Sequence, residues 1–362
     1  MTDVRMAIAG SGYMGRTYAE SLTKYNEGAD LVAVAVGTRA KKLATDYGIE
    51  LEPDFRSLVK RTDIDAVLVA TPHQAHAKEV IEAAENGKHV LVEKPMATSA
   101  ADCDAMITAC ESASVTLSVI QTLRYRGVFL RAKELISQGS IGTVRMIQMT
   151  SLWDSYLPNK PWANEFESGG AILDRGSHSF DMLRLLTDDD PTSIDASVNS
   201  FSGGAWQALN GMAQIKFSKG AVAQLWMSHE IPKPGFGEDR DVLKVWGSKG
   251  LMEVQHFGKI RILTGNEWKD VWEQDTFDYI ADPMNPSRLE AFYTQTQDFV
   301  DSIRFSRPPA VSGQDGRSAV EMVHAACLSS LTGSSVRLPM TRSAGGSQYD
   351  SATVSRRYIK GE

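Results

Sequence analysis

Hydrophobic patterning changes character along the chain. Up to Ile120, short apolar runs alternate with segments whose apolar positions recur at helical spacing. Val4–Gly10, Asp30–Val36, Ala66–Ala70, His89–Val92 and Thr116–Ile120 read as buried strands. Arg16–Tyr25, Arg39–Tyr47, Asp54–Lys60, Ala75–Glu85 and Ala100–Glu111 read as helices, with Gly48 and Gly87 placed to end two of them. Strands separated by helices predict an α/β fold with a parallel, doubly wound sheet of the Rossmann type and right-handed crossovers.

Beyond residue 122 the pattern shifts. Val128–Gln138 reads as a helix, Val144–Trp153 as an alternating strand and residues 169–186 as a largely buried helix. Six strands then follow: Ser193–Phe201, Gly211–Phe217, Ala221–Glu230, Asp241–Gly247, Leu251–His256 and Lys259–Thr264. Ser218-Lys219-Gly220 and Ser248-Lys249-Gly250 serve as hairpin turns. These predict a C-terminal α+β domain with a large, mostly antiparallel open sheet. The helices Ser287–Phe305 and Gln314–Leu331 close it and pack back towards the first domain. The expected organisation is a dinucleotide-binding domain over 1–122, a substrate-binding and oligomerisation domain over 123–340, and a Ser/Gly/Arg-rich tail over 341–362. An open sheet with one free face buries it against its own helices or another subunit. Trp226 and Trp246 supply apolar area for either, so a homodimer or homotetramer through this sheet is expected.

Composition narrows the class. Of 362 residues, 42% are hydrophobic and 23% charged, which fits a globular protein. A net charge of −7 disfavours nucleic acid or an anionic membrane as a partner. Cys103, Cys110 and Cys327 form no CxxC pair, so neither a disulfide framework nor a zinc site is expected. His73 and His76 in TPHQAH lack a third ligand nearby in sequence, and no metal is expected. No secretion signal and no long apolar run is read, so a cytoplasmic setting is the expectation.

Candidate chemistry clusters at the predicted strand ends, where open parallel sheets bind ligands. Gly10, Gly12 and Gly15 give G-S-G-Y-M-G directly after a strand and into a helix. The first glycine makes the tight turn, the second admits a pyrophosphate and the third lets helix and strand pack closely. Tyr13 and Met14 lie in the same loop. The tip of the second strand carries Thr38 and Arg39, with Lys41 and Lys42 beyond, where an NAD site ordinarily has an acid. A hydroxyl and a guanidinium suit a 2′-phosphate, so NADP is expected, with NAD the alternative. Thr71, Pro72, Glu93, Lys94 and Gln121 sit at or just past strand ends, and His76 orders the turn after Pro72 or touches the cofactor. Glu93-Lys94-Pro95 reads as a ligand-edge triplet or as an ion pair capping the strand.

In GGAILDRGSHSFDMLRLL, Asp174, His178 and Asp181 share one helical face. Two carboxylates around one imidazole suit proton transfer near neutral pH, or form a buried stripe that satisfies itself. Arg124 follows the last strand of the first unit. Tyr156 and Trp162 stand in the loop 154–168, as a sugar-binding wall or as plain packing. Residues 229–240, with His229 and Arg240, are expected to shape substrate preference.

AIAGSGYMG, ATPHQAH, VLVEKP, ISQGSIGTV and GGAILDRGSHSFD together resemble the Gfo/Idh/MocA oxidoreductases over residues 4 to 340. The resemblance implies that Lys94, Asp174 and His178 are catalytic. Lys94 would polarise the reacting hydroxyl or carbonyl, His178 would be the general acid/base, and Asp174 would orient the substrate. Lys94, Arg124, Tyr156, Trp162, Asp174 and His178 would line the substrate site. The implied activity is NAD(P)-dependent hydride transfer at a hydroxyl or carbonyl carbon of a sugar, polyol or related carbohydrate. A non-catalytic sugar or nucleotide sensor on the same fold and an NAD-dependent glycoside hydrolase are the alternatives. The joint presence of Lys94, Asp174 and His178 argues against a sensor. Two departures stand out: members often carry a further glycine before the helix, and Asn where His73 stands.

Overall fold

A computed structural model describes residues 3–153, 170–201, 208–233, 235–236, 241–275 and 282–340. The chain divides into two compact units, Met1–Tyr125 with Phe277–Arg317, and Arg126–Thr276 with Ser318–Glu362.

The first unit is built on six strands: β1 (Val4–Ala9), β2 (Ala29–Ala35), β3 (Glu50–Leu51), β4 (Ala66–Val69), β5 (His89–Val92) and β6 (Leu117–Val119). All pair in parallel, in the order β3-β2-β1-β4-β5-β6. The central strands β1, β4 and β5 are near-continuous Val, Ile, Leu and Ala, as a sheet covered on both faces requires. Helices α1 (Tyr13–Lys24), α2 (Ala40–Tyr47), α3 (Phe55–Lys60), α4 (His76–Glu85) and α5 (Ala100–Ser112) connect them. The Asp54 side chain caps α3 and that of Ser99 caps α5, each accepting from a backbone N–H inside the first turn. One core cluster joins Met6, Ile8, Leu68, Leu91 and Ile120 of the sheet region to Tyr18 and Leu22 of α1. A later helix of the chain, Pro286–Arg304, adds Phe292 and Phe299 to this cluster and therefore belongs to the first unit.

The second unit opens with α6 (Gly127–Ser137) and β7 (Val144–Leu152), followed by α7 (Gly170–Thr187). Strands β8 (Pro191–Asn199), β9 (Asn210–Phe217), β10 (Val222–Ser228), β11 (Val242–Gly247), β12 (Leu251–Gln255), β13 (Lys259–Thr264) and β14 (Glu267–Glu273) follow. After α8 (Pro286–Arg304) and α9 (Gly313–Thr332), β15 (Val336–Arg337) completes the sheet order β14-β13-β12-β11-β7-β10-β9-β8-β15. The pair β7 and β10 is parallel; the other pairings are antiparallel. Along β9 burial alternates strictly: Ala213, Ile215 and Phe217 face in, and Met212, Gln214 and Lys216 face out. Helix α7 packs across β7, β9 and β10. Gly176 lets it approach α9, since a Cβ there would lie 3.3 Å from Val323.

Strand β14 was not expected from the pattern: of its residues only Trp272 is even half-buried, so it shows no alternation. Strands β3 and β15, of two residues each, were likewise unexpected.

Candidate active site

The glycine-rich loop has the geometry of a pyrophosphate cradle. Gly10 takes φ +113°, and a Cβ on it would lie 2.3 Å from the Ala70 carbonyl oxygen. A Cβ on Gly15 would lie 2.0 Å from the Gly10 carbonyl oxygen, so α1 packs on β1 through bare backbone. At Gly12, by contrast, a Cβ would meet no described atom within 4 Å, leaving this face of the loop open. Gly12 is also the N-cap of α1 and supplies no side-chain cap, so the helix presents N–H groups and a partial positive charge there. These features fit the pyrophosphate of a dinucleotide. Tyr13 is exposed, and Met14 is half-buried against the core cluster.

Arg288, not expected from the sequence, lies beneath this loop. It is fully buried, its guanidinium 4.9 Å from the Tyr13 ring and 4.6 Å from that of Phe292. It donates to Pro283 O at 2.6 Å and to Thr17 Oγ1 at 3.4–3.5 Å.

At the end of β2, Val36 and Gly37 turn the chain with φ of 68° and 94°. The backbone N–H of Arg39 donates to Ser11 Oγ at 3.1 Å, tying the tip to the glycine-rich loop. Thr38 and Arg39 are exposed.

The ends of β4 and β5 are joined through side chains. The Thr71 hydroxyl donates to Glu79 Oε2, and burial raises the Glu79 pKa to about 7 against the opposing pull of the Thr71 bond. His76 is fully buried, with Nε2 2.9 Å from Thr71 O and Nδ1 3.0 Å from Pro95 O. Burial lowers its pKa against the opposing pull of the carbonyls and favours the neutral ring, which donates to only one of the two. His76 thus orders the turn after Pro72 from inside, while Pro72 itself is exposed. Glu93 also turns inward: Oε1 accepts from the Tyr18 hydroxyl at 2.5 Å and Oε2 from the Lys94 backbone N–H at 2.9 Å. Lys94 is half-buried and precedes a cis peptide bond to Pro95. Gln121 is buried at the end of β6. Arg124 is held by Asp315 at 3.1 Å and by Ala310 O at 3.4 Å.

In the second unit, α7 is buried along most of its length, and Asp174, Arg175 and His178 form a half-buried stripe on its first half. Asp174 and His178 are one turn apart, within side-chain reach of each other. Asp181, on the same helical face, is fully buried. Arg175 fixes this part of the helix to the end of β7 and to the residue just before β11. Its Nε donates to Ser151 Oγ at 2.9 Å, its Nη2 pairs with Asp241 at 3.3 Å, and its guanidinium lies 4.6 Å from the Trp153 ring. His229 is buried beside the end of β10. Tyr156, Trp162 and Arg240 lie outside the described residues.

A six-stranded parallel sheet with an open glycine-rich turn at a helix N-terminus defines a dinucleotide-binding protein, and the comparisons place it further. Residues 4–121 match the oxidoreductase family with NAD-binding Rossmann fold, Gfo/Idh/MocA, and residues 129–253 match the C-terminal domain of the same family. The chain belongs to the Gfo/Idh/MocA family and is an NAD(P)-dependent dehydrogenase. It is 28% identical over 332 residues to myo-inositol 2-dehydrogenase of Thermotoga maritima, covering 89% of this chain and 95% of that one. It is 28% identical over 354 residues to scyllo-inositol 2-dehydrogenase (NAD(+)) of Bacillus subtilis, covering 95% and 98%. A structure of levoglucosan dehydrogenase with NADH and levoglucosan shares the fold, with a TM-score of 0.82 and 21% identity over 94% of this chain and 100% of that chain. Among the described residues, no helix is long and apolar enough to cross a membrane.

Proposed function

We propose that the protein oxidises a secondary hydroxyl of a cyclic polyol or sugar, or reduces the corresponding ketone, with Lys94, Asp174 and His178 as its reacting groups. The observation that carries the reading is the half-buried Asp174–His178 pair of α7 in a chain with an open dinucleotide loop. The names of the inositol dehydrogenases it resembles support the substrate class.

When bound, the nicotinamide supplies the hydride acceptor or donor. His178 takes the hydroxyl proton during oxidation and returns it during reduction. The Lys94 ammonium stabilises negative charge developing on the oxygen, and Asp174 holds the imidazole and a substrate hydroxyl. Gly10, Gly12, Tyr13, Met14 and Gly15 would hold the pyrophosphate. Thr71, Pro72 and Gln121 would border the nicotinamide half, while Glu93 and His76 support this edge from inside. The exposed Thr38 and Arg39 at the tip of β2 would hold a 2′-phosphate, which would favour NADP(H) over NAD(H). The outward face of the large sheet, with Met146, Met212 and Trp226 exposed, pairs with a second copy as a homodimer or within a homotetramer.

A screen of inositols, aldoses and anhydro sugars, read at about 340 nm with NAD⁺ and NADP⁺ separately, tests the reading. Cofactor reduction by one of these compounds, lost in His178→Ala, is expected. A strong preference for NAD⁺ that Arg39→Ala leaves unchanged overturns the assignment of the tip. No turnover of any hydroxyl compound, with sugar binding intact, overturns the enzymatic role of the three residues.

A further inference from the structure

Lys94 is held from both sides by groups that touch its backbone neighbours. Upstream, Glu93 accepts from the Lys94 N–H at 2.9 Å and from the Tyr18 hydroxyl at 2.5 Å. Tyr18 is fully buried in the second turn of α1, the helix that opens from the glycine-rich loop. Downstream, His76 reaches Pro95 O at 3.0 Å and Thr71 O at 2.9 Å, which joins the segment after Lys94 to the end of β4. Both ring nitrogens lie against a carbonyl oxygen, the neutral ring donating to one of them, and the ring has no exposed surface. A carboxylate directed into the core by a tyrosine, and an imidazole enclosed between two carbonyls, do not serve a ligand directly. They fix a backbone, and a long flexible amine is placed only as well as the backbone that carries it.

We propose that Tyr18, Glu93 and His76 are positioning residues that clamp the 93–95 segment from two directions and set where the Lys94 amine stands. This rests on the proposed role of Lys94 in the reaction; the labelling arm of its test does not depend on that role.

Full-length wild type, Tyr18→Phe and His76→Asn are trace-labelled with acetic anhydride, and acetylation of Lys94 is read by mass spectrometry against the exposed Lys42. NADH affinity is measured by fluorescence on the same samples, and turnover with whichever polyol the screen identifies. In both variants Lys94 is expected to label severalfold faster than in wild type, with Lys42 unchanged. NADH affinity should stay near wild type while kcat falls about 10-fold or more. Unchanged Lys94 labelling in both variants overturns the clamp. Loss of NADH affinity matching the loss of turnover assigns these residues to cofactor binding and also overturns it. Altered labelling in the variants, together with full activity in Lys94→Ala, leaves the clamp standing and removes Lys94 from the chemistry.

Discussion

The Thr71 hydroxyl and the Glu79 carboxyl are joined by a hydrogen bond of 2.5 Å at the mouth of β4. Burial holds the Glu79 pKa at about 7, above its ordinary value of 4.5. The folded protein therefore binds this proton more tightly than the unfolded chain does. The associated stability is complete below about pH 4.5 and is lost as pH rises through about 7. Glu79→Gln keeps an acceptor for Thr71 and removes the titration. Melting temperatures across pH 5 to 8 should show the variant gaining on wild type as pH rises; a constant gap would refute this.

His89 carries the opposite sign. Its Nδ1 accepts from the Thr116 backbone N–H at 2.9 Å, and burial lowers its pKa. Protonation would place two hydrogens against each other, so the neutral ring is the native form. Its stabilisation is present above the unfolded-state pKa of about 6.5 and is lost as pH falls. His89→Asn can present its amide oxygen near the same N–H without titrating. Relative to wild type it should gain stability between pH 7 and 5, followed by denaturant midpoints; parallel profiles would show that His89 does not contribute.

Two glycines of one loop should separate folding from cofactor binding. Gly15→Ala drives a methyl into the Gly10 carbonyl, and a loss of about 1–3 kcal/mol in denaturant unfolding is expected. Gly12→Ala meets no described protein atom and has an ordinary φ of −72°. Its unfolding midpoint should stay near wild type while NADH binding weakens about 10-fold or more, near 1.4 kcal/mol. Equal effects of the two changes on stability would contradict the open cradle.

The proposed reacting groups make a kinetic prediction. His178→Ala is expected to lower kcat by about 10²-fold or more with NADH affinity intact. Lys94→Ala should also impair chemistry, and, as the proposal puts both groups on one oxygen, the double variant should lose much less than the product of the two single losses. Multiplicative losses in steady-state kinetics would separate their roles.

The doubly wound sheet was legible because a fully buried parallel strand and an amphipathic helix leave different periods in the sequence. The reading failed at β14, where exposed Glu267, Trp268, Lys269 and Asp270 give no alternation. Lys94, Asp174 and His178 stood out through their motifs and their places at strand ends and on a helix face. What holds the elements around them did not. Tyr18 meets Glu93 75 residues later, and Arg175 meets Asp241 66 residues later. Such pairings follow from the packed fold and leave no local spacing to read. Glu93 and His76 look like ligand-edge residues by position, yet the structure turns both side chains inward.

Strand β10 lies beside β7 and runs in the same direction. Chain leaving β7 must travel back over the sheet before β10 can be laid down, and α7 makes part of that return journey. Asp174 and His178 thus ride on a segment whose place is dictated by strand order rather than by the compound being handled.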